Sequence, residues 1–166
     1  MLVSIIIFVL YLLFAWKRYG ISSSISASYY DLKGWGLVLF SVFCFGISIP
    51  SLIVWALSHD TMNWRFLFPF LGTLGILFVG ASPMFRLNKQ VLRVHMYGSY
   101  SGIGFWIIGL LIYGVHYPLF LFFVSAIFLF IAKKRGKLNI NKKKTSFTWW
   151  IEIAAFISIS LGILLK

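Results

Sequence analysis

Three acidic residues serve a chain of 166, and one of them, Glu152, stands in "TSFTWWIEIAAF", at the head of a stretch that stays apolar almost to its end. The other groups able to do chemistry are as sparse: His95, Ser82, Ser99, Arg86 and Asp31, with Cys44 as the only cysteine. Hydrolysis at a metal needs about three nitrogen or oxygen ligands and an open position. His95 with Glu152 and Asp31 comes nearest, and no HxxxH or HExxH pair accompanies them. A serine nucleophile needs a base and an orienting acid. Ser99, His95 and Glu152 supply those types, although Ser99 and His95 are one helical turn apart. No Gly-rich phosphate loop or haem-ligating histidine pair occurs. One cysteine builds no disulfide framework within the chain, and Cys44 reads as a small buried hydrophobe. The expectation is a non-enzymatic site with no cofactor and no metal.

The medium that must hold these groups follows from composition. The chain is 61% hydrophobic, 20% aromatic and only 11% charged. That is far from the average of soluble domains, and a core of this size cannot hide so much apolar surface. The chain therefore reads as an all-α integral membrane bundle in a single transmembrane domain, 1–166. About 20 apolar residues cross a bilayer core. Six runs qualify, at 2–16, 35–57, 66–85, 94–114, 117–132 and 148–165. Each must be helical, since lipid offers no partner for a bare backbone. Pro50 and Pro69 are expected to bend the second and third helices.

Charge placement gives a topology. All basic residues but Arg65 and Lys166 fall in the first, third and fifth connections. By the positive-inside rule those connections are cytoplasmic and both termini lie outside. The protein is then a multi-pass protein of the cell inner (cytoplasmic) membrane. Lys17 and Arg18 follow the first apolar run, the reverse of a cleavable signal peptide, so that run reads as a retained anchor. A net charge of +12 raises nucleic acid as a partner, but the lysines of "KKRGKLNINKKK" have no aromatic residues between them for base stacking. Lys133, Lys134, Arg135, Lys142, Lys143 and Lys144 are instead expected to contact anionic lipid headgroups, with membrane lipids as partners and no nucleic acid.

This topology brings the scarce polar groups to one depth. Glu152 lies near the cytoplasmic end of the sixth helix, His95 near that of the fourth, and Ser82 and Arg86 close the third. Tyr29, Tyr30 and Asp31 lead into the second from the same side. Helical spacing places His95, Ser99, Gly102, Trp106 and Gly109 on one face, and Glu152, Ala155, Ile159 and Gly162 on another. Small residues mark faces of close helix approach in membranes, so the polar groups are expected to point into the bundle. The same faces suit contacts between copies, which leaves a homo-oligomer open. A charge at a lipid-facing helix centre costs about 2.5–3.5 kcal/mol; Glu152 near a helix end, beside Arg86 or His95, costs less. The other account of Glu152 is a first-turn acid on a helix capped by Thr148.

The stretch "VGASPMFRLNKQVLRVHMYGSYSGIGFW", with Gly80, Pro83, His95 and Gly98, is similar to the multi-span families grouped around Frag, DRAM and Sfk proteins. With "SISASYY" and "WWIE" the chain also resembles a set of short uncharacterised inner-membrane proteins of bacteria and phages. The resemblance implies the six-span layout and brings no established chemistry. The expected function is binding of a lipid or small ligand, or an accessory or transport role. A pocket of His95, Glu152, Arg86, Ser82, Ser99, Tyr97 and Tyr100 would carry it. A proton- or ion-coupled transporter or channel is the alternative, with a membrane-embedded lipid-modifying enzyme behind it.

Overall fold

The computed structural model describes residues 1–34, 36–59, 61–138 and 146–165. Six α-helices follow one another: α1 Leu2–Tyr19, α2 Gly36–Ser58, α3 Leu67–Ala81, α4 Lys89–Ile112, α5 Tyr117–Lys134 and α6 Phe147–Leu164. Two 3-10 turns, Ser26–Asp31 and Trp64–Phe66, lead into α2 and α3, and no β-strand occurs among the described residues. An 18-residue helix is about 27 Å long, the thickness of a bilayer core. Among the described residues, five segments are long and apolar enough to cross a membrane: α1, α2, Trp64–Ala81, α5 and α6. The expectation of six spans is therefore met for five. The fourth helix has the length, but Lys89, Gln90, Arg93, His95 and its serines dilute its apolar character.

Packing explains how α4 tolerates that composition. Its partner is α3, and the two form the most extensive helix pair of the bundle. Where hydrocarbon surrounds a bundle, burial gives little advantage over lipid and close backbone approach matters more. A Cβ on Gly75 would stand 2.5 Å from the backbone nitrogen of Gly102, and one on Gly98 would stand 2.8 Å from the carbonyl oxygen of Gly75. The two backbones thus touch without side chains between them. Trp106 fills the next space along, against Gly72, and Gly162 of α6 accepts Leu110 in the same way. The small residues of the expected faces of α4 and α6, Gly102, Gly109, Ala155 and Gly162, are buried, as are Gly72, Gly75 and Gly80 of α3.

The interior divides along the bundle into two clusters. Phe8, Tyr11, Phe40, Phe43, Cys44 and Trp149 lie in one, and Trp55, Trp106, Leu110 and Leu119 lie in the other. The helix α5 is the most exposed, with its apolar side chains directed outward, as suits lipid. Pro50 is inside α2 as expected. Pro69 falls in the first turn of α3 instead, where its missing N–H would have had no helical partner, so no bend is required there. The sixth helix begins two residues earlier than its Thr148 suggests: Ser146 is the N-cap, accepting from the backbone N–H of Trp149 at 3.3 Å.

The charged connections gather at one end. Lys17 and Arg18 close α1, Lys89 opens α4, and Lys133 and Lys134 close α5. Lys133 Nζ lies 5.2 Å from the Phe147 ring, and Arg86 bonds to Ser23, so these connections share one level. Gly75→Ala is expected to cost about 1–3 kcal/mol, because α3 and α4 must separate. A Cβ on Gly104 meets nothing within 4 Å, so Gly104→Ala is expected to be neutral or to gain up to about 1 kcal/mol from helix propensity. Thermal unfolding of the two purified variants checks the contrast.

Candidate functional site

The site begins with the segment between α1 and α2, "GISSSISASYYDL". Gly20, at φ 78°, ends α1 in a conformation that costs other residues energy, and the chain then turns back under the bundle. Its small hydroxyl residues satisfy one another. Ser28 donates to the Ile25 carbonyl at 2.5 Å, which leaves its oxygen to accept from the Tyr11 hydroxyl, also at 2.5 Å. Ser24 accepts from the Ala27 N–H at 2.9 Å, and Ser22 donates to the Asp31 carboxylate. Ser22, Ser26, Ala27, Ser28 and Tyr29 are buried. A stretch with the composition of a flexible linker is thus a packed plug.

Two other elements fasten that plug. From α6, the Glu152 carboxylate accepts the backbone N–H of Ile25 at 2.5 Å, and the capping residue Ser146 donates to the Ser23 carbonyl. From the α3–α4 connection, Arg86 donates its backbone N–H to the Tyr30 hydroxyl at 2.5 Å and its guanidinium to Ser23 Oγ at 3.1 Å. The guanidinium also lies 4.7 Å from the centre of the Tyr30 ring, a favourable placement for a cation. Glu152 therefore holds an amide, not a charge. A hydrogen bond of this kind contributes about 0.5–1.5 kcal/mol.

Above the plug is a half-open cavity of about 130 Å³ between α1, α2, α3, α4 and α6. Glu152, Ile25 and Ser26 line it at the plug, aromatic and aliphatic side chains such as Phe8, Phe43 and Phe156 line its middle, and Trp106, Ser51 and Ser160 stand deeper. Ser48, Ser51 and Ser99 each donate their hydroxyl proton to a carbonyl of their own helix at 2.6 to 2.9 Å. Ser160 is different: its Oγ is buried without a hydrogen-bond partner among the described residues.

The residues expected to form one pocket are distributed over three places. Glu152 and Ser99 line the cavity. His95, 2% exposed, is held away from Glu152: its Nδ1 lies 3.1 Å from the Ser82 carbonyl and its ring stacks on Phe85 at 4.1 Å. That carbonyl only accepts, so Nδ1 carries the proton. The pair His95 and Ser82 fastens α4 to the end of α3. Arg86 is exposed at the plug and forms no ion pair with Glu152. Tyr97 and Tyr100 are 71% and 67% exposed, on the opposite side of α4 from its buried glycines. Lys133, Lys134 and Arg135 sit at the end of α5, at the level of the plug, while Lys142, Lys143 and Lys144 lie outside the described residues. No group of three His, Cys, Asp or Glu side chains close enough to hold a metal occurs among the described residues.

Ile25, Ser26, Tyr11, Ser23 and Ser146 were not legible as site residues, although the serine run "ISSSISAS" was a signal that hydroxyls must find partners somewhere. Comparison with protein-family models, with curated proteins and with solved structures gives no match. The chemistry must therefore be read from the geometry. Cys44, fully enclosed and also lining the cavity, provides a probe of the plug. Glu152→Gln keeps an oxygen for the Ile25 N–H, whereas Glu152→Leu strands that donor at a cost of about 1–3 kcal/mol. Maleimide labelling of Cys44, the only cysteine, is expected to stay slow in the wild type and in Glu152→Gln. In Glu152→Leu it is expected to accelerate at least tenfold.

Proposed function

We propose that this is a non-enzymatic multi-pass protein of the inner membrane that binds a small ligand, or part of a lipid, inside its helical bundle. The observation that carries this reading is the half-open cavity with one carboxylate at its plugged end. An ionisable side chain within a membrane bundle is costly and is generally placed there for a function. In this reading α4 is a sixth span, sheltered by α3 so that its polar residues do not meet lipid, and both termini lie on the outer side. The basic end is then cytoplasmic, and Lys133, Lys134 and Arg135 attract anionic headgroups there. The likeness to short inner-membrane proteins of bacteria and phages fits the same layout. Its two short stretches, "SISASYY" and "WWIE", are joined here by the bond between Ile25 and Glu152.

Proton- or ion-coupled transport is the second reading. It is favoured by the double role of Glu152, which lines the cavity and also holds the segment that closes it. A change at the carboxyl would release that segment. Against it, the carboxyl stands in the second turn of α6, and the cavity lining holds no deeper acidic group among the described residues.

Ser99→Leu tests the binding reading. The new side chain projects into the cavity, and the only bond lost is the local one from Ser99 to the His95 carbonyl. Native mass spectrometry of protein released gently from membranes is expected to show a bound small molecule on the wild type and its loss from Ser99→Leu. A wild type that carries no such mass, or a variant that retains it, contradicts the reading.

A further inference from the structure

The cavity has an unbalanced lining, and the imbalance specifies a ligand. Twenty residues line it. They include one carboxylate and several serine hydroxyls, but no lysine, arginine or histidine among the described residues. A carboxyl away from bulk water ionises only when a cation or enough donors face it, and otherwise keeps its proton. Ile25 supplies one N–H, to Oε2. Neither of the expected partners supplies the rest, since Arg86 bonds outside the cavity to Ser23 and His95 bonds to Ser82.

The remaining polar groups point the same way. Ser48 and Ser99 have given their protons to helix carbonyls, so what they present to the cavity is acceptor oxygen, while Ser51 is bonded to both the Ile47 carbonyl and Ser4. Ser160, 4% exposed, lines the far end of the cavity with a hydroxyl that has no partner among the described residues. Between these polar groups stand aromatic rings. Phe8 and Phe156 are stacked at 3.8 Å, and Phe43, Phe40 and Trp106 complete the walls. Aromatic faces attract organic cations, and best when water is excluded.

We propose that the cavity takes a small apolar ammonium ion, its charged head on Glu152 and its hydrocarbon part among the aromatic rings. This inference rests on the binding reading above and gives it a ligand class. The volume limits the size. A dry cavity of about 150 Å³ accommodates benzene, so about 130 Å³ suits an amine with one ring or a short chain. A whole phospholipid is too large to be enclosed. Glu152 and Ser160 are eight residues apart on α6, about 12 Å along the axis, so the head at Glu152 leaves the apolar part directed toward Ser160. The ammonium ion completes the electrostatic balance that no side chain of the lining provides.

Benzylamine and benzyl alcohol are matched probes, alike in ring and length and different in charge. Their binding to the full chain in nanodiscs is to be measured by saturation-transfer NMR. The wild type is expected to bind benzylamine about tenfold or more tighter than benzyl alcohol, the factor that a hydrogen-bonded charge contributes. Glu152→Gln, which keeps an acceptor for Ile25, is expected to abolish that preference. Ser99→Leu is expected to weaken both probes. Equal affinity for the two probes in the wild type, lost in Ser99→Leu, overturns the ammonium class and leaves the binding reading standing. Absence of binding by either probe, or binding untouched by Ser99→Leu, overturns both. The wild-type and Ser99→Leu arms decide the matter even if Glu152→Gln does not fold.

Discussion

A carboxylate bonded to a backbone amide across 127 residues of sequence is the interaction on which the rest of this structure depends. It joins the last helix to the loop after the first, and so closes the bundle at its basic end. Its strength comes from the medium: with little water to compete, a hydrogen bond is worth more than at a soluble surface. Its cost comes from the same source, since the carboxylate must give up hydration. The hydroxyl-rich loop offsets part of that cost by bringing a donor to the charge without bringing a second charge.

The plug and the helix packing are mutually dependent. The close contact of α3 and α4 through Gly72, Gly75, Gly98 and Gly102 fixes the ends of those helices, and with them the placement of Arg86. Arg86 then holds Tyr30 and Ser23. The clasp of His95 on the Ser82 carbonyl stops α4 from sliding along α3. The cavity is what remains when five helices converge on glycine and serine faces that cannot fill the centre. It is lined rather than packed because Ser48, Ser51, Ser99 and Ser160 are too short to meet across it.

Much of this was legible in the sequence, and the reasons are physical. Hydropathy marked the helices, since only helices satisfy their own backbone in lipid. The alternation of basic residues placed Lys17, Arg86 and Lys133 at one end, where the structure also gathers them. Glycine spacing named the buried face of α4. What was not legible was pairing. Sequence reasoning matched Glu152 with Arg86 because opposite charges attract, but the nearer partner is a backbone N–H, and every residue except proline has one. Nothing in the residue type of Ile25 announces that its amide points at a carboxylate. Tyr97 and Tyr100 were placed near the site by proximity in sequence to His95, and helical rotation carries them to the outside. His95 itself sits at the expected depth but turns toward Ser82.

The central claim is that the Glu152 carboxylate holds the plug through the Ile25 amide. Amide hydrogen exchange, resolved at Ile25 in the full chain in nanodiscs, measures that bond directly. The account predicts that Ile25 exchanges at least a hundredfold slower than the amides of an exposed turn, as a buried bonded amide does, and that Glu152→Leu removes this protection. Exchange at Ile25 as fast as at Gly34, whose surface position gives it no such shelter, would contradict it.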